Sequence, residues 1–137
     1  MASSTPSKKL LWAGRVVSAL PALMMLLSAF MKLSNNPQAL EGFAKDGFPD
    51  GALFKIGLLE VLVVLIYLVP QTAVLGAILC VGYLGGAVLV HVRHGEAFVF
   101  PILLGALFWL GLWLRDPRVR ALVPLRKPLV ENDTTKS

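Results

Sequence analysis

From Gly57 to Glu96 the chain reads GLLEVLVVLIYLVPQTAVLGAILCVGYLGGAVLVHVRHGE, two long apolar segments separated only by Pro70-Gln71-Thr72. Each segment suits a long helix, and so short and uncharged a connection makes the two antiparallel neighbours. The stretch also holds the polar groups that are hardest to explain as surface. Glu60 lies inside the first segment, Cys80 and Tyr83 lie inside the second, and His91, Arg93 and His94 come at its end. With 56% apolar residues and only 15% charged, the 137-residue chain falls outside the range of an ordinary soluble domain and suits a bilayer. Its net charge of +5 comes from basic residues that flank apolar runs. That pattern belongs to membrane topology and anionic-lipid contact rather than to nucleic-acid binding.

Four apolar runs follow one another, at about 10–31, 52–69, 73–92 and 98–114, and each reads as a membrane-spanning helix. The expected fold is therefore all-α, a polytopic four-helix bundle over residues 10–114. A mobile polar tail, 1–9, precedes it, and a basic, irregular juxtamembrane tail, 115–137, follows. The first run exceeds a signal-peptide core and ends in SAFMK without a small-x-small cleavage pattern, so it is retained. Pro21 within it predicts a kink or a local packing adjustment. Between the first two runs, Asn36-Pro37 starts a short helix that Gly47 and Pro49 stop. Ala39, Leu40, Phe43 and Ala44 give that helix one apolar stripe, fit either for lying at the membrane interface or for covering a cavity.

Four spans place both ends of the chain on one side. Lys8, Lys9, Arg15, Arg115, Arg118, Arg120, Arg126 and Lys127 cluster there, whereas acidic residues partly balance Lys32, Lys45, Lys55 and Arg93 opposite. The positive-inside rule makes the termini cytoplasmic. Trp12, Tyr67, Trp109 and Trp113 fall near the same face, as an interfacial aromatic belt would. The Asn132-Asp133-Thr134 sequon lies on that side too, out of reach of glycosylation.

Glu60, about eight residues from either end of its run, costs several kcal/mol at the bilayer midplane unless protonated, paired or facing a polar interior. It is either a proton-handling or ligand-binding carboxylate or an interhelical hydrogen bond that sets the register of the bundle. Tyr83 and His91 share one helix face at i and i+8, so Glu60, Tyr83 and His91 can form a column from midplane to mouth, with Lys32 and Arg93 at the rim. Gly82, Gly85 and Gly86 make a small-residue face, read first as a helix-packing surface and second as a cavity wall. His91 and His94 with Glu96 make no metal site, since the helix ends there and no third ligand is assured. Cys80 is a packing residue, and as the only cysteine it rules out a disulfide or dithiol within one chain.

The segments AFMKL, FAKDGFP, GLLEVLVVLIYLVPQTAVLGAILCVGYLGGAVLVHVRHG and LGLWLRDPRVRALVP together resemble the DoxX-like family of small four-helix membrane proteins, over about Ala29 to Pro124. On that resemblance Lys32, Glu60, Tyr83, Gly85, Gly86, His91 and Arg93 occupy motif positions. It implies a bacterial cytoplasmic-membrane location and a role as an accessory or quinone-linked subunit of a membrane redox system. It also implies a rival role, a non-enzymatic assembly factor for membrane proteins; a small-lipophile transporter is a third reading, which one short bundle without an internal repeat disfavours. A quinone is the cofactor it brings into view. The expected partners are the bilayer and either a redox subunit or a second copy of the chain, with nucleic acid excluded.

Overall fold

The computed structural model describes residues 6–128. Among them every regular element is helical: α1 (Lys8–Leu33), α2 (Pro37–Lys45), α3 (Ala52–Leu68), α4 (Ala73–His94), α5 (Val99–Arg115) and α6 (Pro117–Leu122). The four long helices begin and end within two residues of the four apolar runs. Local chemistry sets their boundaries. Ser7 caps α1 by accepting from the Leu10 N–H, and Asn36 caps α2 by accepting from the Gln38 N–H at 3.0 Å. Between α3 and α4, Pro70–Thr72 forms a single tight turn in which the Thr72 hydroxyl donates to the Ile66 carbonyl at 2.7 Å.

α1 packs on α3 and α5, and α4 packs on the same two helices. Residues 6 and 128 lie at one end of this arrangement, the terminal end; α2 lies at the other, the loop end. The tightest approaches of backbone to backbone cluster at the terminal end. A Cβ on Gly14 would sit 2.8 Å from the Gly111 carbonyl oxygen, one on Gly76 would collide with the Tyr67 backbone, and one on Gly111 would collide with Ser18. Here too lies the buried cluster of Val64, Tyr67, Cys80, Phe108 and Leu112. The Tyr67 hydroxyl donates to the Phe108 carbonyl at 2.8 Å and shares a 2.9 Å hydrogen bond with the Ser18 hydroxyl, so α1, α3 and α5 are tied at one point.

The outer surface is apolar on every long helix. Leu20, Leu23 and Leu27 on α1, Leu58 and Leu62 on α3, Ile78 and Leu89 on α4, and Leu103 on α5 all stand exposed. An apolar surface so continuous suits lipid rather than water. Two helical segments, Lys8–Leu33 and Pro70–His94, are long and apolar enough to cross a membrane, and only 28% of each apolar window is buried. They are thus unlike the core helices of a soluble protein, which are mostly covered. α5 is apolar too but shorter.

Several expectations change. Tyr67 does not join an aromatic belt, because it is fully buried with its hydroxyl satisfied; Trp12 is exposed, and Trp109 and Trp113 are partly covered. Residues 117–122 of the basic tail are helical. Asp116 caps them by accepting from the Arg118 N–H, Pro117 fills the first position, and Val119 is buried. At the other terminus, Lys8 and Lys9 belong to α1 rather than to a tail, and the helix runs unbroken through the buried Pro21. The sequon lies outside the described residues.

Candidate functional site

Gly57 and Glu60 are three residues apart on the inward face of α3, and Lys32 faces both from α1. A Cβ on Gly57 would lie 2.9 Å from the Lys32 Cβ, so the glycine is what lets α1 come close here. The consequence is a buried ion pair. Lys32 Nζ lies 2.8 Å from Glu60 Oε2, with side-chain exposures of 16% and 3%. Lys32 also donates to the Ser28 hydroxyl one turn back along α1. Placing a lone carboxylate in such surroundings is costly, and the ammonium offsets that cost only because its geometry is good.

The pair forms part of the wall of a cavity of about 600 Å³ at the loop end, which is not enclosed. Tyr83, Ala87 and His91 of α4 line it, as their shared face predicts. His91 Nδ1 lies 2.7 Å from the Ala87 carbonyl oxygen. A carbonyl can only accept, so Nδ1 carries a proton and Nε2 is the nitrogen left to exchange one. Glu60, Tyr83 and His91 thus line one cavity, and Lys32 joins them from across the helices. Arg93 does not belong to it: the residue is exposed and lies outside the lining, because it falls two positions past His91 and so on another face of α4.

The glycine face also differs from its first reading. A Cβ at Gly82, Gly85 or Gly86 would meet nothing within 4 Å, so no helix among the described residues packs on them. Gly82 and Gly86 instead line the cavity, where missing side chains leave space, and Gly85 lies outside it. The glycines that do bring helices together are Gly14, Gly57, Gly76 and Gly111, which the spacing of small residues in α4 could not single out.

Phe43 of α2 and Phe48 just beyond it complete the lining, their ring centroids 4.7 Å apart. Of the apolar stripe of α2 only Phe43 lines the cavity, whereas Leu40 is exposed, so the stripe divides between the two expected roles. Between the two rings, Asp46 abuts His94 Nε2 at the end of α4, so His94 ties the loop to the bundle. Among the described residues, no three His, Cys, Asp or Glu side chains group as a metal site would require. Sequence reading missed Ser28, whose only signal is its i, i+4 spacing to Lys32, and the Asp46–His94 contact, which no local spacing announces.

A family model described as the DoxX-like family matches residues 16–111, a span running from α1 into α5 that includes Lys32, Glu60, Tyr83 and His91. No curated protein and no solved structure matched the chain in the parallel comparisons. The match covers well over half of the chain, and the apolar exterior agrees with it: this protein belongs to the DoxX-like family of membrane proteins.

Proposed function

We propose that the chain is a four-span membrane subunit, accessory to a redox system, whose cavity holds the head group of a quinone-like lipophile while Glu60 and His91 handle a proton. In this reading α1, α3, α4 and α5 cross the bilayer and both termini are cytoplasmic, as the distribution of Lys and Arg favours. The observation that carries it is the Lys32–Glu60 pair in the wall of a cavity of about 600 Å³ that Tyr83 and His91 also line. A buried ion pair serving only as a structural tie has no need of an adjoining void, and the volume lies within the range of small-molecule sites. The polar groups fit a head with carbonyl or hydroxyl oxygens. Lys32 and Tyr83 can donate to it, and His91 Nε2 can give or take a proton at the outer end of the column. A quinone would supply two-electron, two-proton chemistry when bound; the residues here would orient its head and keep water from it.

The test is a thermal-shift titration of the detergent-purified protein with decyl-ubiquinone, using wild type, Glu60→Gln and Tyr83→Phe. The tyrosine variant leaves the ion pair intact. Stabilisation of wild type that is lost in Glu60→Gln and reduced in Tyr83→Phe is expected. Equal stabilisation of all three, or none of any, would remove the quinone reading.

A second reading, a non-enzymatic assembly factor, draws support from Gly85, which no helix among the described residues covers and which lies outside the cavity. Loss of a co-purifying partner on Gly85→Leu, with ligand binding intact, would favour that role.

A further inference from the structure

The same cavity also carries an inference about how it is filled. We infer that it is loaded sideways from the bilayer by an uncharged, tailed lipophile, and that the α2 segment seals it against water. This rests on the ligand-binding reading of the cavity and adds the class and route of the ligand.

Charge is the first argument. Among the described lining residues the one ammonium, Lys32, is matched by the one carboxylate, Glu60, the imidazole of His91 adds no charge in its neutral form, and Ser28 takes a further donor of the ammonium. Arg93, which could have supplied an unmatched positive charge, lies outside the lining. A site balanced in this way gives an anionic head no net attraction while still charging it for desolvation. An uncharged head with hydrogen-bonding oxygens avoids that penalty.

The second argument is where the walls are thin. Met24, Leu59 and Phe100 line the cavity and are also 42%, 48% and 50% exposed, and Gly82 and Gly86 leave the α4 side without side chains. Around these positions the exterior consists of Leu20, Leu23, Leu58 and Leu62, a surface for lipid chains. A head group seated near Lys32 and Tyr83 can therefore leave its tail among those chains.

The third argument concerns the remaining mouth. Phe43 and Phe48 line the cavity from the α2 segment with their rings 4.7 Å apart, and Asp46 between them in sequence lies against His94. No residue of α2 is buried, so little besides those two rings and that polar contact holds it down. Left-handed glycines at Gly47 (φ 77°) and Gly51 (φ 82°) bracket Phe48 and shape the return to α3. Two aromatic rings over a polar site exclude water better than they admit it.

The experiment uses the full chain in lipid nanodiscs, with decyl-ubiquinone and its tail-less analogue 2,3-dimethoxy-5-methyl-1,4-benzoquinone as probes. Affinities and loading rates are measured for wild type, Phe43→Ala/Phe48→Ala and Gly86→Leu. The tailed probe should bind wild type roughly tenfold or more tightly than the tail-less one, since each buried methylene contributes. Removing both rings should speed loading of the tail-less probe at least about fivefold, on the order of losing one apolar barrier, and leave the tailed probe's rate unchanged. Gly86→Leu should slow the tailed probe without lowering the melting temperature. If the two probes bind equally in wild type, or if loss of the rings speeds both, loading is from water and the inference falls while the cavity reading stands. If neither probe binds any variant, the cavity reading itself fails and takes the inference with it.

Discussion

Lys32 and Glu60 show what a single pair can demand of its surroundings. Each is tolerable in the bundle only because of the other, so removing one charge leaves its partner uncompensated in apolar surroundings. Glu60→Gln should lower stability by about 3 kcal/mol, the usual cost of breaking a buried pair. Adding Lys32→Met to it should recover most of that loss. Denaturant unfolding in mixed micelles, followed by circular dichroism, checks both. A double variant no more stable than the single would mean that Lys32 is solvated through the cavity rather than held by Glu60.

Whole helices meet through glycines chosen for contact, and those of α4 separate into two groups. Gly76 touches the Tyr67 backbone, whereas Gly82 and Gly86 have open space before them. Gly76→Leu should therefore prevent recovery of folded protein, and Gly86→Leu should leave yield and melting temperature near wild type; size-exclusion profiles of the two separate the cases. α6 offers a pH test at the same scale. Burial alone would raise the Asp116 carboxyl, but hydrogen bonds from Arg118, with the charges of Arg118 and Arg115, hold it below the ordinary carboxylate range. A lowered folded value means the stabilisation is complete above about pH 4 and is lost as pH falls below that. Trp113 reports the event, since its Nε1 donates to the Val123 carbonyl just past α6 at 3.0 Å. Its fluorescence should change on acidification, and Asp116→Asn, which keeps a capping side chain, should flatten that acid limb.

For the molecule as a whole, tight packing lies at the terminal end and a void at the loop end. The buried cluster around Tyr67 and Phe108 holds the helices, which leaves the other end free to hold a cavity. On the proposed four-span orientation, reporter fusions at either end should read cytoplasmic and one inserted at Gly95 should read external. Reporters that disagree between the two ends would remove the even number of spans.

The runs of apolar residues and the breaks between them, such as Pro37 and Pro70, were enough to place every long helix, because helix formation and termination depend on neighbours a few positions away. Glu60 also identified itself, since an acid amid apolar residues is costly in any fold of that segment. What lies on each helix's inner face was decided only by the tertiary structure. In water an apolar stripe marks the buried side, but here the exterior is as apolar as the core, and hydropathy cannot tell Leu58 from Val64. For that reason Tyr67 went to the core rather than a belt, Gly82 and Gly86 to a cavity rather than a helix contact, and Arg93 to the outside. The pairing of Lys32 with Glu60, 28 positions apart, likewise arises only once Gly57 has brought α1 and α3 together.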